Sequence, residues 1–180
     1  MINRIIAAID NCDRSQSVYD MAVSLAKSTD ASLMLLHVLS EEDSDYPILP
    51  TYAYYSVLKG NNNGIFQHKF YEYEQQQTNL LRNLTKKAIA AGVNTEYVQI
   101  FGNPGCEICE LADTWSADLI LVGSRGLRGL KEIFVGSVSN YVTHHATCSV
   151  LIVRSDTDLV SYPSDFPCEE ETEADSKHKV

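Results

Sequence analysis

Residues 118–142 read DLILVGSRGLRGLKEIFVGSVSNYV, and Gly123, Gly126, Gly129 and Gly136 are distributed in a way that suits the binding of an anion. Residues 119–122 have the length and apolar character of a buried strand. The glycines then break the run into a loop, and Gly136-Ser137 opens a helical pattern. A strand, a glycine-rich loop and a helix N-terminus in succession hold phosphate well. Free backbone N–H groups and the positive end of the helix dipole face the ligand, and glycines let it approach the backbone. Ser137 has the residue type of an N-cap, and its hydroxyl can instead donate to a phosphate oxygen. Arg125, Arg128 and Lys131 either add charge-assisted contacts or form a solvated loop face. No Gly-Lys-Ser/Thr follows the glycines, so the loop is not of the Walker A kind.

The elements that must position this loop follow from the hydrophobic pattern. Residues 2–9 and 31–39 are near-continuous apolar runs, as expected of strands covered on both faces. Between them Val18, Met21, Ala22, Leu25 and Ala26 recur at three and four, which predicts a helix from Ser15 to about residue 28. Residues 66–91 predict a long helix with Phe70, Tyr73, Leu80, Leu81, Leu84 and Ala88 on its buried stripe and Gly92 as its stop. Residues 95–101 predict a third strand, 106–116 a helix after the turn at 102–105, and 137–146 a short helix. Ser149–Val153 predicts the last strand. Strands alternating with helices imply α/β architecture: an open five-stranded parallel sheet with helices on both faces, Rossmann-like. With the strand order 3-2-1-4-5, the order reverses between the first and fourth strands. A ligand then sits beyond their C-terminal ends, at Asp10 and Gly123.

The spacing Gly123-x-x-Gly126, nine residues, Gly136-Ser137 resembles the ATP-binding branch of the universal stress protein family. The resemblance extends over residues 1–154. It includes Asp10 after the first strand, Leu36-His37-Val38 in the second, residues 117–126 and 135–142, and the closing strand. It implies that Asp10 and the Val38 backbone meet an adenine, that Gly123 lies near the ribose, and that Gly126, Gly136, Ser137 and Val138 surround the phosphates. Arg125 is a candidate for an added phosphate contact. It also implies ATP or a related adenine nucleotide as ligand, with magnesium or manganese carried on the phosphates, and a homodimer formed through Ser149–Val153. A β-branched edge with few charges benefits from such pairing.

Composition narrows the alternatives. The net charge is −10, but residues 155–180 hold eight acidic and two basic groups, leaving −4 for residues 1–154. A mildly acidic body with an acidic tail argues against sequence-independent nucleic-acid binding, which needs a basic face. The tail, with Pro163 and Pro167, has the composition of a disordered segment. No apolar run approaches the ~18 residues of a membrane span. The opening residues lack a secretory core, and the expectation is a cytoplasmic protein. Residues 40–65, with Pro47, Pro50, a tyrosine cluster and Asn61-Asn62-Asn63-Gly64, read as an irregular insertion: a flap over the long helix or a surface for a protein partner.

The remaining chemistry-bearing residues are weaker candidates. Cys106-Glu107-Ile108-Cys109 is a CxxC at a helix start, where thiols can be activated. Thioredoxin-like pairs follow a first strand, however, so structural or free cysteines are the preferred reading. Cys12, Cys148 and Cys168 bring the cysteines to five, an odd number that does not suggest a disulfide framework. His144 and His145 point about 100° apart on a helix and do not chelate together. His37, in a core strand, reads as a buried structural histidine. Hydrolysis of ATP needs a base or orienting residue for water. Only Glu132 stands near the loop, so the expectation is a regulatory nucleotide-binding module, with a slow ATPase or phosphotransferase, or a sensor of AMP, cyclic AMP or a cyclic dinucleotide, as alternatives.

Overall fold

A computed structural model describes residues 1–10, 15–41, 47, 64–124 and 136–154, with 64–67 as backbone alone. The elements in chain order are β1 (Arg4–Ala8), α1 (Ser15–Thr29), β2 (Ser32–Leu39), α2 (Gly64–Ala90), β3 (Thr95–Phe101), α3 (Pro104–Thr114), β4 (Leu119–Gly123), α4 (Ser137–His145) and β5 (Ser149–Val153). The sheet has five strands in the order β3-β2-β1-β4-β5, and every pairing is parallel. Ile5, Ile6 and Ala7 of β1 stand opposite Leu119, Ile120 and Leu121 of β4.

Alternation along the strands builds a core on each side of the sheet. Ile5, Ala7, Leu33, Leu35, Leu119 and Leu121 face α1 and α2, meeting Val18, Ala22, Leu81 and Ala88. Ile6, Met34, Leu36, Ile120 and Val122 face α3 and α4, meeting Ile108, Ala112 and Val142. Ile5, Ile6, Leu35, Ile120 and Leu121 are fully buried, and each contributes about 1.5–3 kcal/mol through loss of water contact. Burial on both faces explains why these strands are near-continuous in apolar residues.

The helices end by backbone geometry rather than by side-chain breaks. At the end of α2, Val93 N–H donates to Ala88 O at 3.0 Å and Gly92 N–H to Ile89 O at 2.9 Å. Gly92 takes φ +88, the left-handed conformation this stop requires. Asp30 and Ser116 adopt positive φ after α1 and α3. At the N-terminal edge of the sheet, Asp118 accepts the N–H of Asn3 at 2.7 Å and of Arg4 at 3.0 Å. Arg4 donates to Trp115 O at 2.6 Å. The two backbone donors to Asp118 are the main reason its carboxyl lies below its ordinary pKa.

Three sequence expectations shift. Helix α3 starts at Pro104 rather than Cys106, because Pro suits the first helical position and Asn103 caps it, accepting from Gly105 and Cys106 N–H. Helix α2 starts at Gly64, so the last two residues of the expected 40–65 insertion are helical. Its stripe is also more polar than expected: Gln77 and Thr85 are buried with Tyr73, Leu81, Leu84 and Ala88, whereas Phe70 and Leu80 are only half-buried. Residues 42–46 and 48–63 of that insertion, and the 155–180 tail, lie outside the described residues. Among the described residues, no helix is long and apolar enough to cross a membrane.

Candidate functional site

The switch in strand order opens a cleft. Strand β1 continues past Ala8, where Ile9 N–H donates to Leu36 O at 2.8 Å, and β4 ends at Gly123, after which Ser124 N–H donates to Val153 O at 2.9 Å. Above these strand ends lies a cavity of about 150 Å³. Its floor is apolar: Ala8, Ile9, Leu36, Val38 and Val122, with Ile108 from α3 and Val18 from α1. Its polar lining comes from Asp10, Ser15, Ser40, Ser124, Ser137 and Ser139. Among the described lining residues, Asp10 is the one ionisable side chain. An apolar floor with a few convergent polar groups is the usual make-up of a small-molecule site.

Asp10 and Ser15 form a reciprocal pair. Asp10 N–H donates to Ser15 Oγ at 2.9 Å, and the Ser15 hydroxyl donates to Asp10 Oδ1. Ser15 is the first residue of α1 and is buried, so the pair fixes the Asp10 carboxylate at the cleft wall where β1 hands over to α1. The structure shows the Asp10 side chain tied to the start of α1 while it lines the cleft.

The N-termini of α3 and α4 at the cleft differ. That of α3 is closed by Asn103, whose side-chain oxygen accepts from Gly105 N–H at 3.1 Å and Cys106 N–H at 3.3 Å. That of α4 has Gly136 at the cap and, among the described residues, no side-chain cap hydrogen bond. Ser137, expected as the cap, is instead the first helical residue. The Gly136 carbonyl already accepts from Asn140 N–H at 2.8 Å, while the Gly136 backbone is extended at φ −57, ψ 158, which is the cap condition. The Ser139 hydroxyl turns back to Gly136 O at 3.1 Å rather than to the first-turn donors. The open end of α4 therefore directs backbone N–H groups and the positive dipole end at a cleft lined by Gly136, Ser137 and Val138, an arrangement suited to an anionic group.

Six residues nominated from the sequence come together here: Asp10, Val38, Gly123, Gly136, Ser137 and Val138 all line the cleft. Arg125 and Gly126 lie outside the described residues, as do Arg128, Gly129, Lys131 and Glu132. His37 is buried on the opposite face of β2 from Val38, where alternation puts it. Ser15, Ser40, Ser124, Pro104 and Ile108 were not nominated. A general signal for the serines existed: Ser40 and Ser124 directly follow the ends of β2 and β4, where parallel sheets bind ligands. Among the described residues, no group of three His, Cys, Asp or Glu side chains converges as a metal site.

Residues 1–154 match the sequence profile of the universal stress protein family. The chain is 35% identical over 154 residues to Universal stress protein Sll1388 of Synechocystis sp., covering 84% of this chain and 97% of that protein. It is 37% identical over 154 residues to Universal stress protein YxiE of Bacillus subtilis, covering 86% of this chain and 100% of that one. Among solved structures, hypothetical protein MJ0577 superimposes with a TM-score of 0.63 at 23% identity, over 86% of this chain and 97% of its own. A universal stress protein in complex with cAMP does so with a TM-score of 0.55 at 25% identity, over 84% and 96%.

Proposed function

The chain belongs to the universal stress protein family, and on that premise we propose that it is a regulatory module whose cleft binds ATP or a related adenine nucleotide. The observation that carries this reading is the N-terminus of α4, where no side chain among the described residues caps the first turn, opening onto an apolar-floored cleft at the ends of β1 and β4. In this reading the adenine lies over the apolar floor against Asp10 and the Val38 backbone, and the ribose lies beside Gly123. The phosphates take the N–H groups at Gly136, Ser137 and Val138, with Gly126 and Arg125 completing the cradle. Magnesium or manganese is carried by the phosphates, because the described lining offers a single carboxylate and Ser15 already engages it. The same engagement favours binding over hydrolysis, since Asp10 is poorly placed to activate water.

Residues 1–154 form the nucleotide-binding domain, with an insertion between β2 and α2, and 155–180 an acidic tail. Two copies pair through β5, the outer strand of the sheet, in a cytoplasmic setting. A second reading, a sensor of cyclic AMP, is favoured by the structural neighbour solved with that ligand. The test is to identify the nucleotide that co-purifies by mass spectrometry and then titrate ATP, AMP and cyclic AMP calorimetrically. ATP should co-purify or bind most tightly. Tighter binding of cyclic AMP selects the second reading, and binding of none removes both.

A further inference from the structure

Helices α3 and α4, which form one wall of the cleft, meet around a group of thiols. Cys106 is the third residue of α3 and Cys109 lies one turn further on. The Cys106 thiol donates to Tyr141 Oη of α4 at 3.4 Å. Cys109 packs into the same apolar layer as Cys148 and Trp115. Burial pushes the Cys109 thiol up, and its neighbours Cys106 and Cys148 add to the effect. All three are free thiols and all are half-buried, so a small reagent reaches them. The hydrogen bond to Cys106 is the first cause that raises the Tyr141 phenol above its ordinary range. The phenol therefore keeps its proton, and its hydroxyl remains a hydrogen-bond partner of the Cys106 sulfur.

We propose that Cys106 and Cys109 form a dithiol oxidation site, and that its state is coupled to the cleft. The coupling rests on the nucleotide reading above, whereas the thiol chemistry stands without it. The co-reactant is a low-molecular-weight disulfide, RSSR. The Cys106 thiolate attacks one sulfur of RSSR, forming Cys106–S–S–R and releasing RS⁻. The Cys109 thiolate then attacks Cys106 Sγ, forming the Cys106–Cys109 bond and releasing a second RS⁻. Two thiols lose two electrons and two protons, and RSSR becomes two RSH.

Residues three apart on a helix have Cα atoms about 5 Å apart, inside the disulfide range. Their Cβ atoms are about 5–6 Å apart, wider than a disulfide spans, so closing the bond distorts the first turns of α3. Those turns carry Pro104 and Ile108 of the cleft lining. They also carry Gly105, where an added Cβ would lie 2.7 Å from the Tyr141 ring. The Gly105 backbone thus lies close against the Tyr141 ring, and this approach transmits a shift of α3 to α4, whose N-terminus lines the cleft.

The test uses full-length protein with Cys12→Ser and Cys168→Ser, equilibrated with excess oxidised glutathione and mapped by peptide mass spectrometry. The expected result is loss of two thiols and a Cys106–Cys109 linkage that Cys148→Ser leaves unchanged. Cys109→Ser should instead trap a single glutathione on Cys106. Oxidation should lower ATP affinity about tenfold, and a reductant should restore it. A Cys109–Cys148 linkage, or none, overturns the thiol pair, and equal ATP affinity in the two states overturns the coupling. If the reduced protein binds no ATP, the nucleotide reading falls and takes the coupling with it, while the peptide map still decides the thiol pair.

Discussion

Gly136→Asp separates what the α4 N-terminus does for the fold from what it does for a ligand. The Gly136 backbone, at φ −57 and ψ 158, is one that any residue adopts, so glycine is not required there by conformation. An Asp at that cap accepts the first-turn N–H groups, which no side chain among the described residues caps. Relative to Gly this stabilises by a few tenths of a kcal/mol, and the negative charge at the positive dipole end adds about 0.3–1 kcal/mol. The nucleotide-free variant should therefore unfold at equal or slightly higher urea concentration. Binding should move the opposite way. The new carboxylate occupies the donors assigned to phosphate and sits about 5 Å from its charge. At an effective dielectric constant of about 20, two unit charges at that distance repel by about 3 kcal/mol, which is more than a hundredfold in Kd. Part of the loss should disappear at high salt. Gly136→Ser adds a cap without the charge, and should weaken ATP by about 1 kcal/mol, the worth of the competing hydrogen bond. Calorimetric titration at two salt concentrations, alongside urea unfolding, reads all of this. A folded Gly136→Asp protein that binds ATP within threefold of the unsubstituted one would refute the phosphate assignment.

Asp118 has a depressed folded pKa, so the stability it contributes is present above its unfolded value and lost as pH falls through the folded one. Asp118→Asn should flatten the fall in urea midpoint below about pH 4, and an unchanged acid slope would contradict the latch at Asn3 and Arg4. Gly105→Ala puts a Cβ 2.7 Å from Tyr141 Cδ1 and 2.9 Å from Cγ, at the root of the ring where it yields least. Overpacking costs about 1–3 kcal/mol and helix propensity returns about 1 kcal/mol, so the urea-derived stability should drop by up to about 2 kcal/mol, and a gain would contradict the close approach of α3 and α4. Ile152, half-buried on β5, is a probe of pairing: Ile152→Lys should convert a dimer to a monomer by light scattering at micromolar protein, and a monomeric parent would dismiss the pairing outright.

The strands were the most legible part of the chain, because double-sided burial writes itself as apolar runs such as Leu33–Leu36, and their alternation with helices implied the parallel order that the sheet adopts. What escaped the sequence depends on hydrogen bonds between residues whose types permit several roles. Gly136 and Ser137 are both acceptable caps, and only the Asn140 bond to Gly136 O separates them. Asn103-Pro104 is a helix-start signal, but the flanking Gly102 and Gly105 make it look like a turn. Gln77 completes the ladder between Tyr73 and Leu81 at 2% exposure, yet its polar type hides it from a hydrophobic pattern. Ser15 reaches the cleft by closing on Asp10 across five positions, a contact that no periodicity reports.

The cleft is assembled from two walls. On one side α3 and α4 are locked by Gly105 against Tyr141, with no room for a methyl group between them. On the other, α1 contributes Val18 and holds Asp10 through Ser15. A ligand with its base over the floor and its phosphates on α4 would join both sides across the ends of β1 and β4. Asp10, Ser15, Ser40, Ser124 and Gly136 form the rim, at the ends of β1, β2 and β4 and the starts of α1 and α4. A change of occupancy is therefore felt first at these rim residues. On the nucleotide-binding reading, the cleft signals through such differential contacts. That makes these rim residues, rather than the sheet, the place where nucleotide-dependent protection from amide exchange should be sought. ATP should slow exchange at Ser15, Ser40, Ser124 and Ser137 while leaving Leu35 and Leu121 unchanged. Uniform slowing across the core would instead mean simple stabilisation of the folded state by ligand.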